Sequence, residues 1–195
     1  MPNSYGLIVE GAYDAAVFEE LIRRIANPQV RIVSRSCGGL PNLKKLYPAL
    51  LEDLEHSLQG GPVAKALVVC DADNKNPIEV EQALQRRIQG RVFSFPDGVG
   101  FHAVRRAMET LLLADEEAIN SVRRSRRGVG KDATGLRENP EDISGPKQRL
   151  TDMLSQAGLP YDAQVCAEIA RAARLDVISR VCPYFNVLIR KIHDC

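Results

Sequence analysis

The chain has 195 residues, 45% of them hydrophobic and 26% charged, which is the make-up of an ordinary globular domain. Its formal net charge of +1 excludes a global pull on nucleic acid or an anionic surface, so any such attraction must be local. No apolar run reaches the roughly 20 residues of a membrane-spanning helix, no basic-then-apolar leader is visible, and five scattered cysteines without a C-x-x-C pair argue against a disulfide framework or zinc; a cytoplasmic protein with no membrane partner is expected.

The first strand is expected over about 5–9, a β-prone apolar run. A helix follows with Val17, Phe18, Leu21, Ile22 and Ile25 on one face, and Asn27-Pro28 ends it. A second strand is expected over about 30–34, then a turn at Cys37-Gly38-Gly39. The second helix carries one apolar stripe of Leu43, Leu46, Tyr47, Leu50, Leu51, Leu54 and Leu58, closed by Gly60-Gly61-Pro62. A third strand is expected over 66–70. Asn76-Pro77 reads as cap and first residue of a third helix that runs to about Ile88. A fourth strand is expected over 92–95, cut off by Pro96-Asp97-Gly98. Strands alternating with helices at this spacing imply parallel βαβ units.

From about His102 the pattern changes. Val104, Met108, Leu111 and Leu112 suggest a helix containing Glu109, with Arg105 four residues before it. A basic run, Arg123-Arg124-Ser125-Arg126-Arg127, opens what reads as a long polar loop reaching about residue 143. Ser144 can cap a helix from Pro146 to before Gly158. Two further short helices are expected, one with Val165, Ile169 and Ala173, the other with Phe185, Leu188, Ile189 and Ile192.

The chemistry concentrates in two acidic fragments. Glu10-Gly11 follows the first strand, and Asp71-Ala72-Asp73 follows the third. Ligands of parallel α/β sheets bind beyond the carboxyl ends of the strands, so Glu10, Asp71 and Asp73 are expected to converge. Two like charges about 4 Å apart cost about 4 kcal/mol at an effective dielectric of roughly 20. A divalent cation offsets that repulsion, and all-oxygen ligands suit Mg²⁺ or Mn²⁺. Gly38 and Gly39 lie at a strand-to-helix turn that can present N–H groups to an anion or serve as a tight turn only. The arginines Arg123, Arg124, Arg126 and Arg127 can grip phosphates or form a solvated basic loop.

The two acidic fragments resemble the Toprim domain of topoisomerases, primases and OLD-family nucleases. The stretches around Cys37-Gly38-Gly39, Met108 to Asp115, Asn139-Pro140-Glu141 and Cys182-Pro183-Tyr184-Phe185 resemble small stand-alone Toprim-related proteins of unknown function. The resemblance implies a Rossmann-like α/β core with a mostly parallel sheet at 1–115 and a helical lobe at 116–195. It implies Mg²⁺- or Mn²⁺-dependent hydrolysis of phosphodiester bonds in DNA or RNA, in anti-phage defence or repair. Glu10, Asp71 and Asp73 would be catalytic metal ligands, with Glu109 as a further ligand and Asp14 and Gly11 supporting them from behind. A lysine beside the metals is implied, for which Lys147 is taken while Lys75 and Lys131 compete. The arginine run, Gly38 and Gly39 would contact the nucleic acid. Two other readings stand beside this one: a non-catalytic module that binds nucleic acid or protein, and a subunit active only with an ATPase partner. An oligomer is compatible with each.

Overall fold

The first strand, β1 (Ser4–Val9), is buried at every position, as a strand inside a parallel sheet must be. In the computed structural model, which describes residues 2–56, 61–134 and 138–194, β1 pairs in parallel with β2 (Arg31–Ser36) on one side and β3 (Lys65–Asp71) on the other. A fourth strand, β4 (Val99–Val104), adds in parallel outside β3, giving the order β2-β1-β3-β4. The fold is α/β with an all-parallel sheet flanked by helices.

Three crossover helices connect the strands: α1 (Ala12–Ile25), α2 (Leu40–Glu55) and α3 (Pro77–Arg87). Successive side chains of a strand point to opposite faces. Tyr5, Leu7 and Val9 therefore join the larger core with Val17, Phe18 and Leu21 of α1. Ile8 joins a smaller core with Leu43, Tyr47 and Leu51 of α2 and Val80 and Leu84 of α3. Gly6 lets α2 press onto the sheet, since a Cβ there would stand 2.7 Å from a Leu54 methyl.

After β4, the described residues form six further α-helices: α4 (Met108–Leu113), α5 (Glu116–Ser125), α6 (Pro146–Gln156), α7 (Ala163–Ala172), α8 (Leu175–Val181) and α9 (Phe185–His193). Helix α7 packs on α1, α5 packs on α7, and α9 touches α1 and β4. Buried Tyr5 donates its hydroxyl to Ile192 O at 2.7 Å, joining the first strand to the last helix. The larger core runs from Tyr5 to Ile192, so one core crosses the expected boundary at residue 115.

A polar clasp ties α9 to the sheet edge. Glu81 of α3 pairs with Lys191 at 2.7 Å and accepts from Tyr184 Oη and Ala103 N, each at 3.0 Å. Buried His102 stands 3.5 Å from the same carboxylate and stacks on Tyr184. Burial raises the Glu81 pKa, but His102, Lys191 and the Ala103 N–H outweigh it and hold the carboxyl at about 2.

Several expectations are corrected. Residues 92–95 form no strand, and Val92 is 93% exposed. The slot beside β3 is taken by 99–104, whose glycine and histidine hide its strand character, and Pro96-Asp97-Gly98 precedes the strand. The basic run is the end of α5 rather than a loop. Three helices, not two, follow Gly158. Gly145, not Ser144, occupies the cap of α6. Leu58, Gly60 and Cys195 lie outside the described residues.

Candidate functional site

The chain leaves β1 toward β2 on one side, while β3 and β4 build the sheet on the other. The crevice between the carboxyl ends of β1 and β3 is therefore the topological switch point, where ligands of such sheets bind. Glu10 directly follows β1 and Asp71 ends β3. They are joined by a hydrogen bond from Asp71 N to Glu10 Oε1 at 2.8 Å. Asp71 Oδ1 in turn accepts from Met108 N at 3.0 Å, which seats the start of α4 on the site. Asp14, in the first turn of α1, accepts from Gly11 N at 3.0 Å. Glu109, the second residue of α4 and only 6% exposed, accepts from Tyr161 Oη at 2.5 Å. Tyr161 stacks on Tyr13 with ring centroids 5.0 Å apart, and Lys147 Nζ lies 5.6 Å from the centre of the Tyr161 ring.

The electrostatics show which carboxylates face one another. Burial pushes Asp71 up to about 9, reinforced by Asp14, Glu10 and Glu109 in that order. Burial also raises Asp14 to about 6, with Glu10 and Glu109 adding to it. Glu10 is raised by burial and by Asp73, against the Asp71 N–H, Lys44 and the Leu40 N–H, which favour its charged form. The cluster is thus Glu10, Asp14, Asp71 and Glu109. Cys70 beside it is pushed up to about 12 by burial, Glu10 and Asp71, so it stays a thiol and is no nucleophile.

Asp73 stands at the rim. It is exposed and has φ 51°, and its N–H donates to Arg106 O at 2.9 Å, where Arg106 has φ 66°. Left-handed backbone at non-glycine residues costs on the order of 1 kcal/mol each and persists where its surroundings pin it. Here the pinning is visible. Arg106 donates to Asn74 Oδ1 and, at 3.1 Å, to Glu141 O, while Asn139 caps the Glu141 N–H at 2.9 Å.

All-oxygen donors fit Mg²⁺ or Mn²⁺ in kind. Their present placement does not complete a coordination shell: among the described residues, no three His, Cys, Asp or Glu side chains stand where they could hold one ion together. Each clustered carboxylate is turned toward an N–H or O–H donor of its own. A carboxylate has about four lone-pair sites, so such a bond leaves it acceptor capacity.

Glu10 is hydrogen-bonded to the Asp71 N–H, and the charge of Glu109 acts on Asp71. Asp14 acts on Asp71 more strongly than Glu10 does, and Asp73, though exposed, acts on Glu10. Lys147 approaches Glu109 through the Tyr161 ring, whereas Lys75 lies two residues past Asp73 and Lys131 on a strap bonded to Gln156 O at 2.9 Å. Arg105 is not on the helix of Glu109 and stands 3.4 Å from Glu141 instead. Asp115 is taken by Arg174 through three hydrogen bonds of 2.6–3.0 Å.

Gly39 does not offer its N–H to an anion, because it donates to Glu10 O at 2.8 Å. The φ values of 76° and 114° at Gly38 and Gly39 account for the glycines, which make the turn that sets α2 behind Glu10. The arginines are engaged within the fold: Arg123 with Asp132, Arg124 with Glu117, and Arg126 with Glu168 through bonds of 2.6 and 2.8 Å. Arg127 closes the helix at φ 53°. Tyr13, Tyr161 and Lys44 escaped the sequence reading. For the tyrosines no local signal exists, since Tyr161 and Glu109 are 52 residues apart.

Among the described residues, no helix is long and apolar enough to cross a membrane. No curated protein and no solved structure matches the chain. One family does, over residues 9–193, and it is described as a domain of unknown function, DUF4276. With nearly its whole length matched, including Glu10, Asp14, Asp71 and Glu109, the chain belongs to the DUF4276 family.

Proposed function

We propose that the cluster of Glu10, Asp14, Asp71 and Glu109 binds Mg²⁺ or Mn²⁺ and hydrolyses phosphodiester bonds in DNA or RNA. One observation carries this reading: four carboxylates are gathered at the switch point of a parallel sheet, where burial, reinforced by the neighbouring carboxylates, raises the pKa of Asp71 and of Asp14. Such a group gains stability when a divalent cation enters, because repulsion of about 4 kcal/mol per close pair at moderate dielectric becomes attraction. Bound there, the ion would lower the pKa of a water and stabilise charge on the phosphate. The chain's own residues do the rest. Glu10 and Asp71 fix two strand ends to each other, Asp14 and Glu109 add their charges at Asp71, and the Tyr161 hydroxyl, with Lys147 over its ring, orients Glu109.

The resemblance to Toprim domains supports the same reading through Glu10-Gly11 and Asp71-Ala72-Asp73, and a role in anti-phage defence or repair rests on that resemblance alone. The four buried free cysteines, Cys37, Cys70, Cys166 and Cys182, accord with a reducing cytoplasm. The test is calorimetric titration of the purified chain with Mn²⁺, followed by cleavage assays on labelled DNA and RNA. Binding and cleavage are expected, both lost in Asp71→Asn. Cleavage that survives Asp71→Asn would place the chemistry elsewhere.

A second reading draws on the absence, among the described residues, of three side chains placed for one ion. In it, the carboxylates adopt a ligating arrangement only with a partner, such as an ATPase subunit, or serve a module that binds without cleaving. Metal binding that appears only on adding the partner would favour the former.

A further inference from the structure

A groove along α3 opens beside the carboxylate cluster and carries cations of the kind that α5 does not offer. Lys44 of α2, Lys75 of the loop after Asp73, and Arg87 at the end of α3 line a recess of about 310 Å³ with Val80 and Leu84 among its walls. Tyr47 Oη donates to Leu84 O at 2.6 Å and fixes α2 against α3 across it. Glu79 is the acid among the lining residues. The lining therefore carries a local charge of +2 in a chain whose net charge is +1.

Among the described residues, Lys44, Lys75 and Arg87 form no ion pair, whereas Arg123, Arg124 and Arg126 each do. Residues 79, 83 and 87 recur every four positions and form one row along the face of α3, and Lys75 lies in the loop just before the helix. Helix α3, which separates Lys75 from Arg87, spans 11 residues, about 16 Å at 1.5 Å per residue. That is the length of roughly five phosphates at 3.4 Å per strand charge. The helix starts beside the site, since it follows β3, and the charge of Lys44 is felt at Glu10. An apolar wall between cations suits a chain that alternates charged phosphates with sugars and bases.

We propose that this groove is the track on which the sugar–phosphate backbone of a nucleic-acid strand approaches the carboxylate cluster, held by Lys44, Lys75 and Arg87 rather than by the arginines of α5. The inference rests on the phosphodiesterase reading of the cluster and names its substrate-binding surface.

The test is fluorescence anisotropy of labelled single-stranded and duplex oligonucleotides with the full chain, across a salt series, with cleavage in Mn²⁺ followed in parallel. K44A/K75A/R87A is expected to bind at least tenfold more weakly. Its salt slope should fall by up to about 2 on single strands and about 3 on duplex, for three phosphate contacts. K44R/K75R/R87K should restore binding, which separates lost charge from lost fold. A groove variant that keeps the wild-type slope, or a larger slope loss in R123A/R124A/R126A/R127A, overturns the track and leaves the hydrolysis reading standing. Binding through the groove with no cleavage in Mn²⁺ leaves the track standing and removes the hydrolysis. A wild-type chain that binds no oligonucleotide removes both.

Discussion

Glu10 and Asp71 close two neighbouring parallel strands, and the Asp71 N–H donates to Glu10 Oε1 at 2.8 Å. Residues 61 positions apart are thus fixed to each other at the point where the sheet changes direction. Asp14 and Glu109 add two further carboxylates to this pair, and burial, reinforced by these neighbours, raises the Asp71 pKa to about 9.

Metal linkage follows first. A ligand that binds only the folded state stabilises it by about 2.7 kcal/mol at a hundred times its dissociation constant. Thermal melting is expected to rise with Mn²⁺ or Mg²⁺. Asp71→Asn should raise metal-free stability at neutral pH, because folding no longer has to put a proton on a buried carboxyl, and should abolish the metal response. A double variant of Asp71 and Asp14 to Asn that still responds in full would remove the cluster as the metal site.

The pH dependence has a definite sign. Folded Asp71 holds its proton to about pH 9, whereas an unfolded aspartate releases it near about pH 4. The unfolded state therefore binds fewer protons between these values, and metal-free stability must fall as pH rises from about 4 to about 9. Denaturant titrations across that window should show the decline, and Asp71→Asn should flatten it. A wild-type profile without decline contradicts the raised pKa of buried Asp71.

Tyr161 supplies the hydroxyl that donates to Glu109 at 2.5 Å in a buried setting. Tyr161→Phe should destabilise the fold by about 1.5–3 kcal/mol, the range for hydrogen bonds to charged groups. It should also lower cleavage by releasing Glu109. Lys147→Ala removes only a contact with an aromatic face, expected to be worth under about 1 kcal/mol at an exposed site. Equal losses from the two variants would mean that the lysine acts on substrate directly.

The clasp at the sheet edge works in the opposite pH direction. Folded Glu81 has its pKa held down at about 2, below the about 4.3 of an unfolded glutamate. Its contribution is complete above about pH 4 and is lost as pH falls toward about 2, a change on the order of 2 kcal/mol. Glu81→Gln should lower stability at neutral pH and reduce the loss in acid. Limited proteolysis should then release α9 first, since Lys191 loses its 2.7 Å partner. A variant as stable as wild type at neutral pH would show that the clasp holds nothing.

The amino-acid sequence by itself determined β1, β3 and the helices α1 to α3, because their signals are local: continuous apolar runs, one-sided stripes and caps such as Asn76 before Pro77. It also placed Glu10 and Asp71 at strand ends, since an acidic residue directly after a buried run has one place to go. Tertiary structure alone decided the rest. Residues 99–104 became the edge strand because they could pair with β3, with His102 buried against Tyr184 and Glu81, a contact no local pattern announces. Asp14 entered the cluster because α1 starts at the end of β1 and turns its first-turn acid toward Asp71. Asp73 was carried to the rim by a left-handed backbone pinned to Arg106. Arg123 and Arg126 found acids on the strap and on α7, while Arg124 paired with Glu117 of its own helix, which engaged the cationic run that the spacing suggested. Backbone periodicity is written into neighbouring residues, whereas the partner of a charge depends on which distant segment packs against it.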